Sequence, residues 1–185
     1  MRSPLRSPWA LLRFLGTAAV GVTLDLWTKQ LAFDRLLGAE PYRLIPGWLE
    51  FQVTINHGAV FGRFQGQRVL FIIVSFAAVA FLTLLFAGSD RRRSYQVLLG
   101  MLLAGVLGNL YDRVAFGYVR DMIHALPRWP GFFPWIFNVA DSLLCVGVGL
   151  IVLANLFRPH ARGGSTANIT TRARSNDEIR MTNDE

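Results

Sequence analysis

Two aspartates hold most of the chemistry in this chain. Asp121 lies in Gly117-Tyr118-Val119-Arg120-Asp121-Met122-Ile123 and Asp141 in Phe137-Asn138-Val139-Ala140-Asp141-Ser142, each beside a long apolar segment. A carboxylate at a membrane boundary is costly and is kept where it does something. Two of them, brought together by a fold, can share one proton, so that one acts as base and the other as acid on a water molecule. That is the chemistry by which aspartate pairs cut peptide bonds.

The elements that must position them are membrane helices. The 185 residues are 52% hydrophobic with a mean hydropathy of +0.36, too apolar for an ordinary soluble domain of this size. Four apolar stretches, about 11–33, 69–88, 95–111 and 136–157, approach the roughly 17 to 25 residues that a helix needs to cross a bilayer. In the third, Gly100, Gly105 and Gly108 would let neighbouring helices come close. The fold class is therefore a mainly α integral membrane protein, with one four-helix domain over 1–157. Two outer loops, about 34–68 and 112–135, separate the spans.

Basic residues set the orientation, because they are retained on the cytoplasmic side. Arg2, Arg6 and Arg13 precede or open the first span; Arg91, Arg92 and Arg93 join the second to the third; Arg158, Arg162, Arg172 and Arg174 follow the fourth. Clustered this way, they predict both termini inside. Residues 158–185 are polar and lack apolar periodicity, which reads as a disordered cytoplasmic tail. The net charge of +7 flanks the spans and forms no separate basic domain, so nucleic acid is not implied. Arg2 and Arg6 before an apolar run resemble a signal peptide, but the run continues to Phe33 and contains Asp25 and Lys29, which reads as a retained helix.

Around the aspartates stand other polar groups. Asp25 and Lys29 are spaced i, i+4 in the favourable order for a helical ion pair; a structural pair or a snorkelling lysine are both compatible with that spacing. Lys29 is the only lysine in the chain. Trp48 to Asn56 alternates apolar and polar after Pro46-Gly47 and reads as a strand. Asn56-His57-Gly58-Ala59 then turns the chain, and 59–61 return toward the membrane. Asn56 can hold a peptide backbone and Gly58 permits close approach, although an ordinary turn explains both. Asn109 and Arg113 would share one helical face, with Arg113 holding lipid phosphate or pairing with Asp112. His57 and His124 have no partners at ligand spacing, and Cys145, the only cysteine, lies inside a span. No metal, cofactor or disulfide is implied. The stretch 127–135, with Trp129, Trp135 and three prolines, is expected on the membrane surface.

These blocks together resemble the lipoprotein signal peptidases, the type II signal peptidases of bacteria. The resemblance covers most of 11–157 and rests on Asp25 with Thr28-Lys29, on Asn56 to Phe61, on Gly108 to Arg113 followed by Gly117 to Asp121, and on Phe137 to Ser142. It implies an aspartic endopeptidase of the bacterial cytoplasmic (inner) membrane, with its active site at the outer face. The implied reaction removes signal peptides from diacylglyceryl-modified prolipoproteins, cutting before the lipid-bearing cysteine, with Asp121 and Asp141 as the catalytic dyad. Asp25, Lys29, Asn56, Gly58, Asn109, Arg113, Asn138 and Ala140 are implied to brace the dyad or hold substrate. The implied form is monomeric, in contact with membrane lipids, with a small outer β-cradle and a surface helix. Departures are His57, Tyr111 and Arg120, the last where the family typically has an uncharged residue; Arg120 is expected to face lipid headgroups. The alternative of another class is a non-enzymatic small transporter or assembly subunit whose Asp25, Lys29 and Asp141 form an ion path. An intramembrane peptidase of the Gly-x-Gly-Asp kind is excluded, since that motif does not occur.

Overall fold

The computed structural model describes residues 4–58, 67–89, 92–129, 131 and 135–157. Four helices are long and apolar enough to cross a membrane: α1 (Pro8–Leu36), α2 (Arg68–Ala87), α3 (Arg93–Ala115) and α4 (Val139–Leu156). A short 3-10 turn, Pro4–Arg6, precedes α1. The outward faces of α2 and α4 carry Val69, Ile73, Phe76, Phe81 and Leu84, and Val146, Leu150 and Leu153, all exposed. Such apolar faces are stable only against lipid.

Burial runs along one stripe of α1. Ala10, Phe14, Ala18, Gly21, Asp25 and Lys29 recur every three or four residues and are buried. This stripe meets small residues on α3. A Cβ added to Gly100 would lie 2.5 Å from the Phe14 carbonyl oxygen, Ala104 packs on Gly21, and Gly108 abuts the Asp25 carboxylate. On its other side, α3 receives α4, since a Cβ on Gly105 would lie 2.6 Å from the Ala140 carbonyl oxygen and 2.5 Å from Leu144 Cγ. The three α3 glycines expected to permit close packing therefore do so, two toward α1 and one toward α4. Phe14 stacks on Phe86 of α2 at 4.2 Å, above a layer formed by Leu99, Leu102 and Leu103.

At the end of the bundle where α1 and α3 finish and α4 begins lies an antiparallel sheet in the order β1 (Tyr42–Ile45), β2 (Leu49–Asn56), β3 (Val119–Ala125), β4 (Ile136–Phe137). Strand β2 is the one read from alternation. The sheet changes two expectations. The third helix runs past residue 111 to Ala115, so Asp112 and Arg113 are helical rather than loop residues. Asp121 is then not on a loop but in β3, opposite Thr54 of β2. Gly117, with φ of +87°, provides the left-handed turn that ends α3 and starts β3. The expected return of 59–61 to the membrane and the tail 158–185 lie outside the described residues, as do 130 and 132–134 of the expected surface stretch.

Candidate active site

The beginning of α4 shows how the chain assembles its polar centre. The Asn138 side chain accepts from the Asp141 amide (2.9 Å), while Asp141 Oδ2 accepts from the Asn138 amide (3.3 Å). This reciprocal arrangement is a capping box, in which the first and fourth residues satisfy helix-end amides that have no partner within the helix. The fourth helix accordingly starts at Val139 instead of 136 and places Asp141 in its first turn. A third such amide, that of Ala140, donates to Asp25 Oδ1 at 2.8 Å. The α4 N-terminus is thus closed by two carboxylates, the sign of charge that a helix N-terminus favours.

Asn138 also joins the two aspartates. Its Nδ2 donates to Asp121 Oδ1 (2.6 Å) and to Asn109 Oδ1 (3.1 Å), and Asn109 Nδ2 donates to Asp141 Oδ1 (2.8 Å). From β2, Asn56 Nδ2 donates to Asp121 Oδ2 at 3.0 Å. Residues 54 and 56 share a strand face, so the pairing of Thr54 with Asp121 puts Asn56 diagonally across from that carboxylate. Asp121 is 1% exposed. Burial, and after it the charge of Asp141, push its carboxyl up to about 7, against the hydrogen bonds from Asn56 and Asn138 that favour the ionised form.

Beneath this layer, the expected ion pair is present: Lys29 Nζ lies 2.7 Å from Asp25 Oδ2, with both side chains fully buried. The ammonium also donates to Asn109 Oδ1 (3.0 Å) and lies 3.2 Å from Asp112 Oδ2. Asn109 therefore has its amide oriented by Lys29 on one side and by Asp141 on the other. Arg113 shares the Asn109 face as expected. Its Nη2 donates to the Gly58 carbonyl (3.2 Å), Nη1 to the Asn109 carbonyl (3.3 Å), and the guanidinium stands over the Phe71 ring. Gly58 in turn donates its backbone amide to the Asn56 side-chain oxygen, which closes the turn. Arg68 caps the α3 C-terminus by donating to the Arg113 and Val114 carbonyls.

All ten candidate residues thus fall in one connected region. Three others were missed. Asp112 is fully buried and pairs with Lys29 and Arg120 rather than with Arg113. Arg120 does not face headgroups: it is 4% exposed and turned onto Asp112, because a buried carboxylate at the end of α3 accepts from its Nε, its Nη2 and its backbone amide. Gln30 accepts from Arg120. The available signal was helical periodicity on α3, which separates Asp112 from its neighbour Arg113 and leaves that carboxylate in need of another cation. His57 is exposed beside Tyr118, as a surface histidine would be. At the opposite end of α1 and α3, buried Gln96 accepts from Arg13 Nε (2.8 Å), on the far side of the Phe14 and Leu99 layer.

Fold and site define a polytopic membrane protein with two coupled carboxylates held by asparagines at one end of its helices. The sequence profile of the family described as Signal peptidase (SPase) II matches residues 17–157, and the chain belongs to that family of peptidases. It is 37% identical over 137 residues to the lipoprotein signal peptidase of Symbiobacterium thermophilum, covering 74% of this chain and 89% of that protein. It is 36% identical over 133 residues to the lipoprotein signal peptidase of Enterococcus faecalis, covering 71% and 80%. Among solved structures, a bacterial membrane enzyme superposes with a TM-score of 0.70 at 30% identity, over 82% of this chain and 92% of that one. Membership sets aside the transporter and assembly-subunit reading.

Proposed function

We propose that this peptidase removes signal peptides from diacylglyceryl-modified prolipoproteins, cutting before the lipid-bearing cysteine, with Asp121 and Asp141 as the catalytic dyad. The observation that carries the reading is that one side chain, Asn138, is hydrogen-bonded to both aspartates while burial and the charge of Asp141 push the Asp121 carboxyl to about 7. Such a pair retains one proton near neutrality. Charge counting agrees. Among the described residues of this end, the carboxylates are the buried Asp25, Asp112 and Asp121 and the half-buried Asp141, and the facing cations are Lys29, Arg113 and Arg120. One proton on the pair brings the group to neutrality.

In this reading, a water molecule lies between the two carboxyls. The ionised aspartate takes a proton from the water as its oxygen attacks the scissile carbonyl carbon. The protonated aspartate hydrogen-bonds to the carbonyl oxygen and gives up its proton as the tetrahedral intermediate forms. Collapse of the intermediate breaks the C–N bond; the leaving amine takes the proton first drawn from water, and one hydroxyl proton of the intermediate returns to the other aspartate, which restores the pair. Asn56, Asn109 and Asn138 fix the two carboxyls; Gly58 and Arg113 line the approach from β2; Asp25, Lys29 and Ala140 fix α4 against α1. A substrate held by its own apolar helix and acyl chains arrives in the plane of the bilayer, where the ends of α1 and α3 meet the sheet. The protein acts as a monomer in the bacterial cytoplasmic membrane, both termini inside and the site at the outer face, with 158–185 a cytoplasmic tail outside the 1–157 peptidase domain.

The test is cleavage of a diacylglyceryl-modified prolipoprotein peptide by the purified protein in detergent, with Asp121→Asn and Asp141→Asn. Processing by wild type and by neither folded variant is expected, a loss of at least about 10³-fold. Processing that survives either substitution removes that aspartate from the mechanism.

A further inference from the structure

Arg120 precedes Asp121 in β3, so the two side chains leave opposite faces of the strand. Its side chain binds two helices at once. Nε and Nη2 donate to Asp112 Oδ1 of α3 at 3.2 and 2.9 Å, and Nη1 donates to Gln30 Oε1 of α1 at 2.9 Å. Its backbone amide donates to Asp112 Oδ2 at 3.0 Å. The guanidinium lies 4.4 Å from the Phe116 ring centre and 5.9 Å from that of Phe33.

The sheet is in register from Val119 to Asp121 and irregular immediately beyond it. The β2–β3 register shifts between Phe51 and Thr54, next to the Asp121 position, and the short β4 pairs only with Ile123 and His124. A constraint from another direction is needed there, and Arg120 supplies one a single residue away. It acts also through charge. Asp112 is shared between Arg120 and Lys29; without Arg120 it would compete more strongly for the ammonium that orients Asn109, which in turn binds Asp141.

We propose that Arg120 is a positioning residue for the reaction, clamping the start of β3 onto α1 and α3 so that Asp121 stays registered against Asn138 and Asp141. The proposal rests on the peptidase reading above, and two kinds of readout keep them separable. The first is kcat and KM for the diacylglyceryl-modified prolipoprotein peptide, measured on the full chain for wild type, Arg120→Met, Arg120→Lys and Gln30→Met. The second is hydrogen exchange at the Asp121 and Met122 amides. Misplacing a reacting group by about 1 Å costs on the order of 100-fold. Arg120→Met should therefore lower kcat by about 10- to 100-fold, with KM within about twofold. Arg120→Lys should regain part of the loss, and Gln30→Met should show a smaller loss in kcat. Exchange at the two amides should quicken in the same order.

Wild-type kcat in folded Arg120→Met, or a loss confined to KM, overturns the proposal. Should Arg120→Met fail to fold, unchanged kcat in both Arg120→Lys and Gln30→Met overturns it. If wild type does not cleave the peptide, the substrate reading fails and exchange alone decides: quickened amides in the variants support the clamp, and unaltered ones refute it.

Discussion

Replacing Asn138 should separate two tasks that its side chain performs together. As the first residue of the capping box it accepts from the Asp141 amide, and as a donor it serves Asp121 Oδ1 and Asn109 Oδ1. Serine at this position can still cap, because its hydroxyl accepts from the same amide, but it is too short to reach Asp121. Alanine does neither. Loss of a cap costs about 1 kcal/mol, and loss of a hydrogen bond to a charged group about 1.5 to 3 kcal/mol. Asn138→Ser should thus keep a thermal midpoint close to wild type, whereas Asn138→Ala should fall below it by the cap contribution. Both should lose kcat by about 30- to 150-fold, if 2 to 3 kcal/mol of dyad placement is lost. The pH profile gives the sign. The Asn138 hydrogen bond favours ionised Asp121, so its removal raises that pKa, and the alkaline limb of kcat/KM should move to higher pH. The assay is peptide cleavage across pH 5 to 9, on roughly the scale of carboxyl titration expected for a raised pair. Wild-type kcat/KM and an unmoved limb in Asn138→Ser would refute the reasoning.

Three further outcomes can be checked with the same material. The wild-type profile should decline as pH rises through about 7, where Asp121 gives up the proton that the pair needs to keep one neutral carboxyl; a flat profile to pH 9 would remove that proton from the mechanism. Gly108→Ala should destabilise by about 1 to 3 kcal/mol, because the new methyl meets the Asp25 carboxylate and lies 3.3 Å from Ala140 Cβ, whereas Gly149→Ala, with nothing within 4 Å, should be near neutral in thermal unfolding. Lys29→Met leaves the buried Asp25 carboxylate without its cation and should cost about 3 to 5 kcal/mol; adding Asp25→Asn should recover part of that loss, and a double variant as unstable as the sum of the singles would deny the pairing.

What could be read from the residues followed their physical dominance. Four spans were legible because apolar length is imposed by the bilayer, and β2 because one of its faces alternates. Strand β3 was not, since Val119 to Met122 are buried on both faces and two of those four residues are charged, which masks the period of two. The start of α4 was placed three residues early by hydropathy, although Asn138-x-x-Asp141 is itself the spacing of a capping box.

The Arg120 error has a sharper cause. Pairing with Asp112 is one of two roles the spacing offers Arg113, its neighbour in sequence, yet consecutive residues on a helix point about 100° apart and do not face each other. Arg113 instead turns to Gly58 and Phe71, which leaves Asp112 on the buried face, fully enclosed. A buried carboxylate at the last turn of α3 has a fixed need for cations, and Lys29 alone is already committed to Asp25 and Asn109. The chain leaves α3 through Gly117 and returns within a few residues along β3, so the first basic residue of that strand is the one within reach. Helical periodicity on α3, applied before sequence adjacency, therefore leads to Arg120 and to its place behind the dyad.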